Sequence, residues 1–129
     1  MPKPVVIAIV DDDEAVREAI LDLLQVEGLA ARTFSGAVPF LDADGTDFAC
    51  VITDVRMPEV DGLELQRRLR ALGSTVPVIF ITSSTDPGIR DRAIEEGAAA
   101  WFSKPVADAA LLSTLRAALD SWAADDASA

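Results

Sequence analysis

Histidine and tyrosine are missing from this 129-residue chain, and cysteine occurs only once, at Cys50. Without histidine, imidazole acid–base catalysis, Ser–His triads and most zinc sites are excluded. A single thiol forms no internal disulfide. Within its apolar run, Cys50 reads as buried and inert, which fits a reduced, cytoplasmic compartment. No apolar stretch approaches the ~20 residues that a membrane span needs, and the brief N-terminal run leads into acids rather than a signal-peptide cleavage site. Basic charge is also short: the formal net charge is −11, with two lysines against nine arginines. Such a surface repels a phosphate backbone, so direct nucleic-acid binding by this domain is not expected. Any chemistry falls to carboxylates and a metal.

What the chain does have is a fivefold alternation of strand-like and helix-like segments. Val5–Val10, Ala30–Phe34, Ala49–Asp54, Val76–Ile81 and Ala100–Ser103 read as strands, mostly as continuous apolar runs typical of parallel strands covered on both faces. Between Glu14 and Glu27, Val16, Ile20, Leu23 and Leu24 form one stripe that Gly28 ends. Pro39 predicts a short or kinked second helix. Asp61 caps the third, with Glu64 placed to close a capping box and Leu65, Leu69 and Leu72 facing inward. Asp86-Pro87 starts the fourth and Gly97 stops it. The last runs from about Asp108 to Trp122, with Leu111, Leu115, Leu119 and Trp122 on one side. Alternation of this kind implies βαβ units and a parallel α/β sheet. Residues 1–123 read as one domain and 124–129 as a frayed polar tail.

Ligands of such sheets are met at the carboxyl ends of the strands. Charged residues stand at several of those ends: Asp11-Asp12-Asp13 after the first strand, Asp54 after the third, Lys104 after the fifth. Thr82 adds a hydroxyl after the fourth. Taken singly, each has a plain explanation as a helix cap, a turn residue or a surface lysine. Their conjunction is harder to explain that way. Carboxylates ~4 Å apart repel by about 4 kcal/mol per pair at an effective dielectric near 20, so a cluster calls for a cation. Mg²⁺ suits hard oxygen ligands. Asp12 and Asp54 are the candidate direct ligands, with Asp11 behind a metal-bound water and the backbone carbonyl of Arg56 completing the set. Asp54 then keeps one oxygen free as a nucleophile toward phosphorus. Lys104 supplies a cation for charge developing on phosphoryl oxygens.

Over essentially its whole length the chain resembles a receiver domain of two-component response regulators, most closely the FixJ and NtrC types. The matching residues are Asp11-Asp12, Asp54 within Thr-Asp-Val-Arg-Met-Pro, the Asp61-Gly62 turn, Thr82 and Lys104-Pro105. The resemblance implies a flavodoxin-like (βα)5 fold with strand order 2-1-3-4-5 and a cis peptide between Lys104 and Pro105. It further implies that Asp54 takes a phosphoryl group from a sensor histidine kinase, with Mg²⁺ required. At the family's switch position, three residues before the lysine, Tyr or Phe usually stands. Here it is Trp101, the switch candidate with Thr82; its larger indole fits an inward rotamer less easily, and covering the sheet edge or forming a contact surface is an equal alternative.

The expected output is a protein contact on the face of helix four, strand five and helix five, with Ile89, Arg90, Ile94 and Trp101. A sensor kinase, a histidine phosphotransfer protein and phosphorylation-dependent self-dimerisation are all compatible. The kinase is expected beside helix one and the Pro105 loop. No DNA-binding output module follows the fifth helix within these residues, so a phosphate-shuttle or adaptor role is the alternative. A haloacid-dehalogenase-like phosphatase fits poorly: its nucleophile follows the first strand in an Asp-x-Asp pattern, and Ala15 follows the acids here. A flavodoxin-like FMN protein would find the acidic first loop repulsive.

Overall fold

A computed structural model describes residues 5–43, 48–84 and 86–128, with side chains as far as Ser121. The sequence expectation for the Trp122 side chain lies outside the described residues. Five parallel strands, β1 (Val6–Val10), β2 (Ala30–Phe34), β3 (Cys50–Thr53), β4 (Val78–Thr82) and β5 (Ala100–Ser103), form one sheet in the order β2-β1-β3-β4-β5. Five helices connect and cover them: α1 (Glu14–Val26), α2 (Ala37–Asp42), α3 (Gly62–Ala71), α4 (Pro87–Glu95) and α5 (Asp108–Ser128).

Strand periodicity of two divides the core into layers. Ile7, Ile9, Cys50, Ile52, Ile79 and Ile81 point to the side where α1 brings Ile20 and Leu24, and α5 brings Leu111 and Leu115. Ala8, Val10, Val51, Val78 and Phe80 point to the opposite side, against α2, α3 and Ala93 of α4. Leu115 is fully buried, a burial that contributes about 2 kcal/mol. Cys50 lies in the same layer, where burial pushes its thiol up to about 12 and leaves it inert, as its position in the sequence implied. The β2 edge carries Arg32, its guanidinium 5.2 Å from the centre of the Phe34 ring, a charge that blunts an exposed edge.

Helix termini follow local chemistry. Asp13, Asp61 and Asp86 each accept backbone N–H bonds as N-caps, and Pro87 opens α4. Two details differ from the sequence reading. Glu64 does not close a capping box with Asp61. Its carboxylate lies 3.4 Å from Arg68 and 3.9 Å from Arg67 instead, so only the Asp61 half of the box is made. Leu72 is exposed rather than inward, because α3 ends at Ala71 and Gly73, at φ 83°, turns the chain away. The apolar spacing continues there, but the helix does not. The last helix continues to Ser128, beyond the end of its apolar pattern.

Helix α4 is held loosely along its length and firmly at its end. Only Ala93 is buried. From α3, Gln66 donates to Ala93 O at 3.3 Å, Arg67 pairs with Glu96, and Arg70 donates to Gly97 O at 3.3 Å.

Candidate functional site

The site residues stand where strands have ended but the hydrogen-bond ladder has not. Asp11 N donates to Phe34 O at 3.1 Å, extending the β1–β2 ladder one residue past β1. Asp54 N does the same to Val10 O at 3.1 Å, and Lys104 N to Thr82 O at 2.8 Å. Three functional side chains are thereby fixed by main-chain bonds to neighbouring strands, and all emerge at the carboxyl edge of the sheet.

There the acids converge. One carboxylate oxygen each from Asp11, Asp12 and Asp54 lies within 4.8 Å of the others. Asp11 is 3% exposed and Asp54 7%, whereas Asp12 faces solvent. Lys104 reaches into the cluster from β5, with Nζ 2.8 Å from Asp54 Oδ2 and 3.1 Å from Asp11 Oδ2. The lysine read from the sequence as a mobile cation is therefore already a bridge between two carboxylates.

Burial pushes the Asp11 carboxyl above its ordinary range, outweighing the Asp13 N–H bond and the nearby ammonium, which both act to lower it. On Lys104 burial acts in the opposite direction, to lower it. Its hydrogen bonds and charge attraction to Asp54 and Asp11 prevail, and its pKa stands above the usual value.

The loop after β3 shapes Asp54. Its Oδ1 accepts from Val55 N at 2.6 Å, and Thr53 Oγ1 donates to its carbonyl at 2.9 Å. Val60 N closes a γ-turn on Pro58 O at 2.8 Å, with Glu59 at φ 70°. Gly62 N then bonds Val55 O at 2.7 Å and brings the start of α3 against Asp54. A Cβ on Gly62 would collide with the Asp54 carbonyl oxygen, which explains glycine after the capping Asp61.

Thr82 is fully buried at the end of β4, and its Oγ1 accepts from Ser84 N at 3.1 Å. Trp101 is paired in register with Phe80 on β5, half-buried, with ring centres 5.7 Å apart. It covers the outer edge of the sheet beside α4. Arg56 lies in the turn past Asp54 with its side chain exposed and outside the carboxylate cluster. The peptide between Lys104 and Pro105 is cis.

One contact at the site escaped the sequence reading. Arg17, on α1, donates from Nη1 to Asp11 O at 2.7 Å. Its signal was an arginine one helical turn inside an otherwise acidic helix start, which reads equally well as surface charge.

The donor set suits a hard divalent cation. It offers carboxylate oxygens only, with neither thiolate nor imidazole to favour softer metals.

A parallel sheet of this order with acids and a lysine at its carboxyl edge defines a phosphoacceptor class, and the comparisons agree. The family model for the response regulator receiver domain matches residues 7–116. The response regulator TodT of Pseudomonas putida is 45% identical over 115 residues, covering 88% of this chain and 51% of that protein. The transcriptional regulatory protein FixJ of Azorhizobium caulinodans is 42% identical over 120 residues, covering 92% and 57% respectively. Among solved structures, the response regulator StyR superposes with a TM-score of 0.88 at 34% identity, over 95% of this chain and 63% of that one. The chain belongs to the response regulator receiver family, whose members are phosphoacceptor switches of two-component systems rather than conventional enzymes. It spans about half the length of the curated relatives it matches. The dehalogenase and flavin readings fall away with that assignment.

Proposed function

We propose that Asp54 is the phosphoacceptor, that Asp12 and Asp54 would hold Mg²⁺ directly with Asp11 behind a metal-bound water, and that Lys104 and Thr82 read the phosphorylated state. The observation that carries this is the double bridge of Lys104 to Asp54 and Asp11, which joins the fifth strand to the acid cluster. In the reaction an Asp54 carboxylate oxygen forms the new bond to phosphorus. The phosphorus–nitrogen bond of a donor phosphohistidine breaks, and the departing imidazole keeps the electron pair. A bound Mg²⁺ would offset the negative charge of the carboxylates and the incoming phosphoryl oxygens. Lys104 follows the phosphoryl oxygens, and the Thr82 hydroxyl, now bonded to Ser84 N, turns toward them. The backbone carbonyl of Arg56 would complete the protein's share of metal ligands.

Thr82 leads into Ser84 and the Asp86 cap of α4, so its movement is passed to the α4 N-terminus and to the face bearing Ile89, Arg90, Ile94 and Trp101. That face mixes apolar and charged groups, as a transient interface does. The phosphodonor, a sensor histidine kinase or histidine phosphotransfer protein, is assigned to the other side of the site. An apolar cleft of about 500 Å³ lies there between α1 and the Pro105 loop, lined by Val16, Ile20, Val106 and Leu111. Asp54→Asn tests the assignment. It should abolish alkali-labile labelling by a kinase or a small phosphodonor, and label persisting in that variant would move the acceptor to Asp11 or Asp12.

A further inference from the structure

Asp12 is the one member of the acid cluster whose side chain is not held. Asp11 Oδ1 accepts from Asp13 N at 2.9 Å and its Oδ2 faces Lys104. Asp54 has Val55 N on one oxygen and Lys104 on the other. Asp12 is exposed, and among the described residues its carboxylate accepts no hydrogen bond. Its aim is therefore set by the backbone, first of all by the Asp11–Asp12 peptide. On its amino side that segment is fixed by Asp11 N on Phe34 O. Among the described residues its carbonyl is fixed by Arg17 alone, through a 2.7 Å bond whose length is typical of charge-assisted contacts. Arg17 is in turn anchored by its own N–H on Asp13 O at 3.0 Å, within the first turn of α1.

We propose that Arg17 is a positioning residue for the divalent cation: by holding the Asp11 carbonyl it locks the peptide that aims Asp12 into the site. This rests on the assignment of Asp12 as a metal ligand. The guanidinium would touch neither ion nor phosphoryl group, and its positive charge by itself opposes a cation nearby. Two effects of opposite sign are thus combined in one side chain. Positioning tightens binding and Coulomb repulsion weakens it. Partners that orient metal ligands typically control affinity by ~10–100-fold, so the positioning effect should prevail.

The test is calorimetric titration of Mg²⁺ into the parent chain and into Arg17→Met, Arg17→Lys and Asp12→Ala. Arg17→Met removes both the bond and the charge, and should weaken Mg²⁺ binding by about tenfold. Arg17→Lys keeps the charge without the forked, rigid donor, and should weaken binding at least as much. Hydrogen exchange at the Asp13 amide should quicken in both, as the Asp11 turn loosens. If Arg17→Met binds Mg²⁺ more tightly while Arg17→Lys matches the parent, the side chain acts only as a charge and the proposal is overturned. Unchanged affinity in both Arg17 variants, with Asp12→Ala impaired, also overturns it and leaves the metal site standing. Unchanged affinity in Asp12→Ala itself would overturn the site assignment beneath it.

Discussion

Gly62→Ala should be among the most damaging single-methyl additions available to this protein. The new Cβ would lie 3.1 Å from Asp54 C and 3.1 Å from Phe80 Cε1, with the Asp54 carbonyl oxygen nearer still. Carbon atoms rest at about 3.5–4.0 Å, so several tenths of an ångström must be found against each carbon and roughly an ångström against the carbonyl oxygen. Neither neighbour yields readily. Phe80 is fully buried, and the Asp54 carbonyl is held by Thr53 Oγ1 at the end of a central strand. Relief must come from lifting the first turn of α3, which loosens the Gly62 N to Val55 O bond. Overpacking of this kind costs about 1–3 kcal/mol, and a weakened buried hydrogen bond adds roughly 1. Replacing helical glycine by alanine returns at most about 1 kcal/mol. The net loss is about 1–3 kcal/mol. In urea, with a slope of about 1.5 kcal/mol/M, the midpoint should fall by roughly 0.7–2 M without change of slope. Gly73→Ala is the control. There φ is 83° but nothing lies within 4 Å of a new Cβ, so only backbone strain opposes it. Its loss should be about 1 kcal/mol. Gly62→Ala no worse than Gly73→Ala would refute the steric account of the α3–Asp54 contact.

Lys104→Met leaves two nearly buried carboxylates without their shared cation, and should lower stability in chelator by about 1–3 kcal/mol. Added Mg²⁺ should narrow that gap, and a gap indifferent to Mg²⁺ would detach Lys104 from the metal site. Asp61→Ala removes the bond from Glu64 N and should cost about 1 kcal/mol in the same urea assay, against no change if the cap is idle. The hydrogen bond from Arg67 holds Glu96 below its ordinary value of 4.5. A depressed carboxylate contributes stability above its unfolded pKa and loses it as pH falls through the folded one. The difference between parent and Glu96→Gln should therefore shrink as acidification carries the pH below that ordinary value, and a constant difference would contradict the pairing. Thr82→Ala should still accept phosphate but show little state-dependent hydrogen exchange between Thr82 and Lys104. Equal state differences in the variant and the parent would remove Thr82 from the switch.

Much of this was legible in the sequence because charge stood out against apolar runs. Asp11, Asp54 and Lys104 each follow a strand, and Thr82 ends one, whose period and composition announce it, and strand ends are where a parallel sheet presents its chemistry. The helix caps at Asp13, Asp61 and Asp86 were equally local. Long-range geometry was not legible. Lys104 meets Asp11 across 93 residues of chain, and nothing in spacing says that one ammonium bridges two acids. Arg17 acts through a carbonyl, and backbone acceptors leave no mark in side-chain patterns. Gln66 is wholly buried between α3 and α4, with its Oε1 lacking a hydrogen bond among the described residues. Nothing in its place among arginines announces that burial. Leu72 failed for a different reason: periodicity was extended past the residue where the helix stops.

The Lys104 bridge also sets a valence. Three carboxylates and one ammonium leave two formal negative charges in the pocket, which one divalent ion neutralises. A monovalent ion would leave one of them standing, and a trivalent ion would overshoot. Phosphorylation replaces the single charge of the Asp54 carboxylate by roughly two on the phosphoryl group, so a pocket balanced before the reaction is about one negative charge out of balance after it. Relief can come from losing the phosphoryl group or from drawing further donors inward. The ammonium that lets the acids assemble and one divalent ion together fall about one charge short of a phosphorylated pocket.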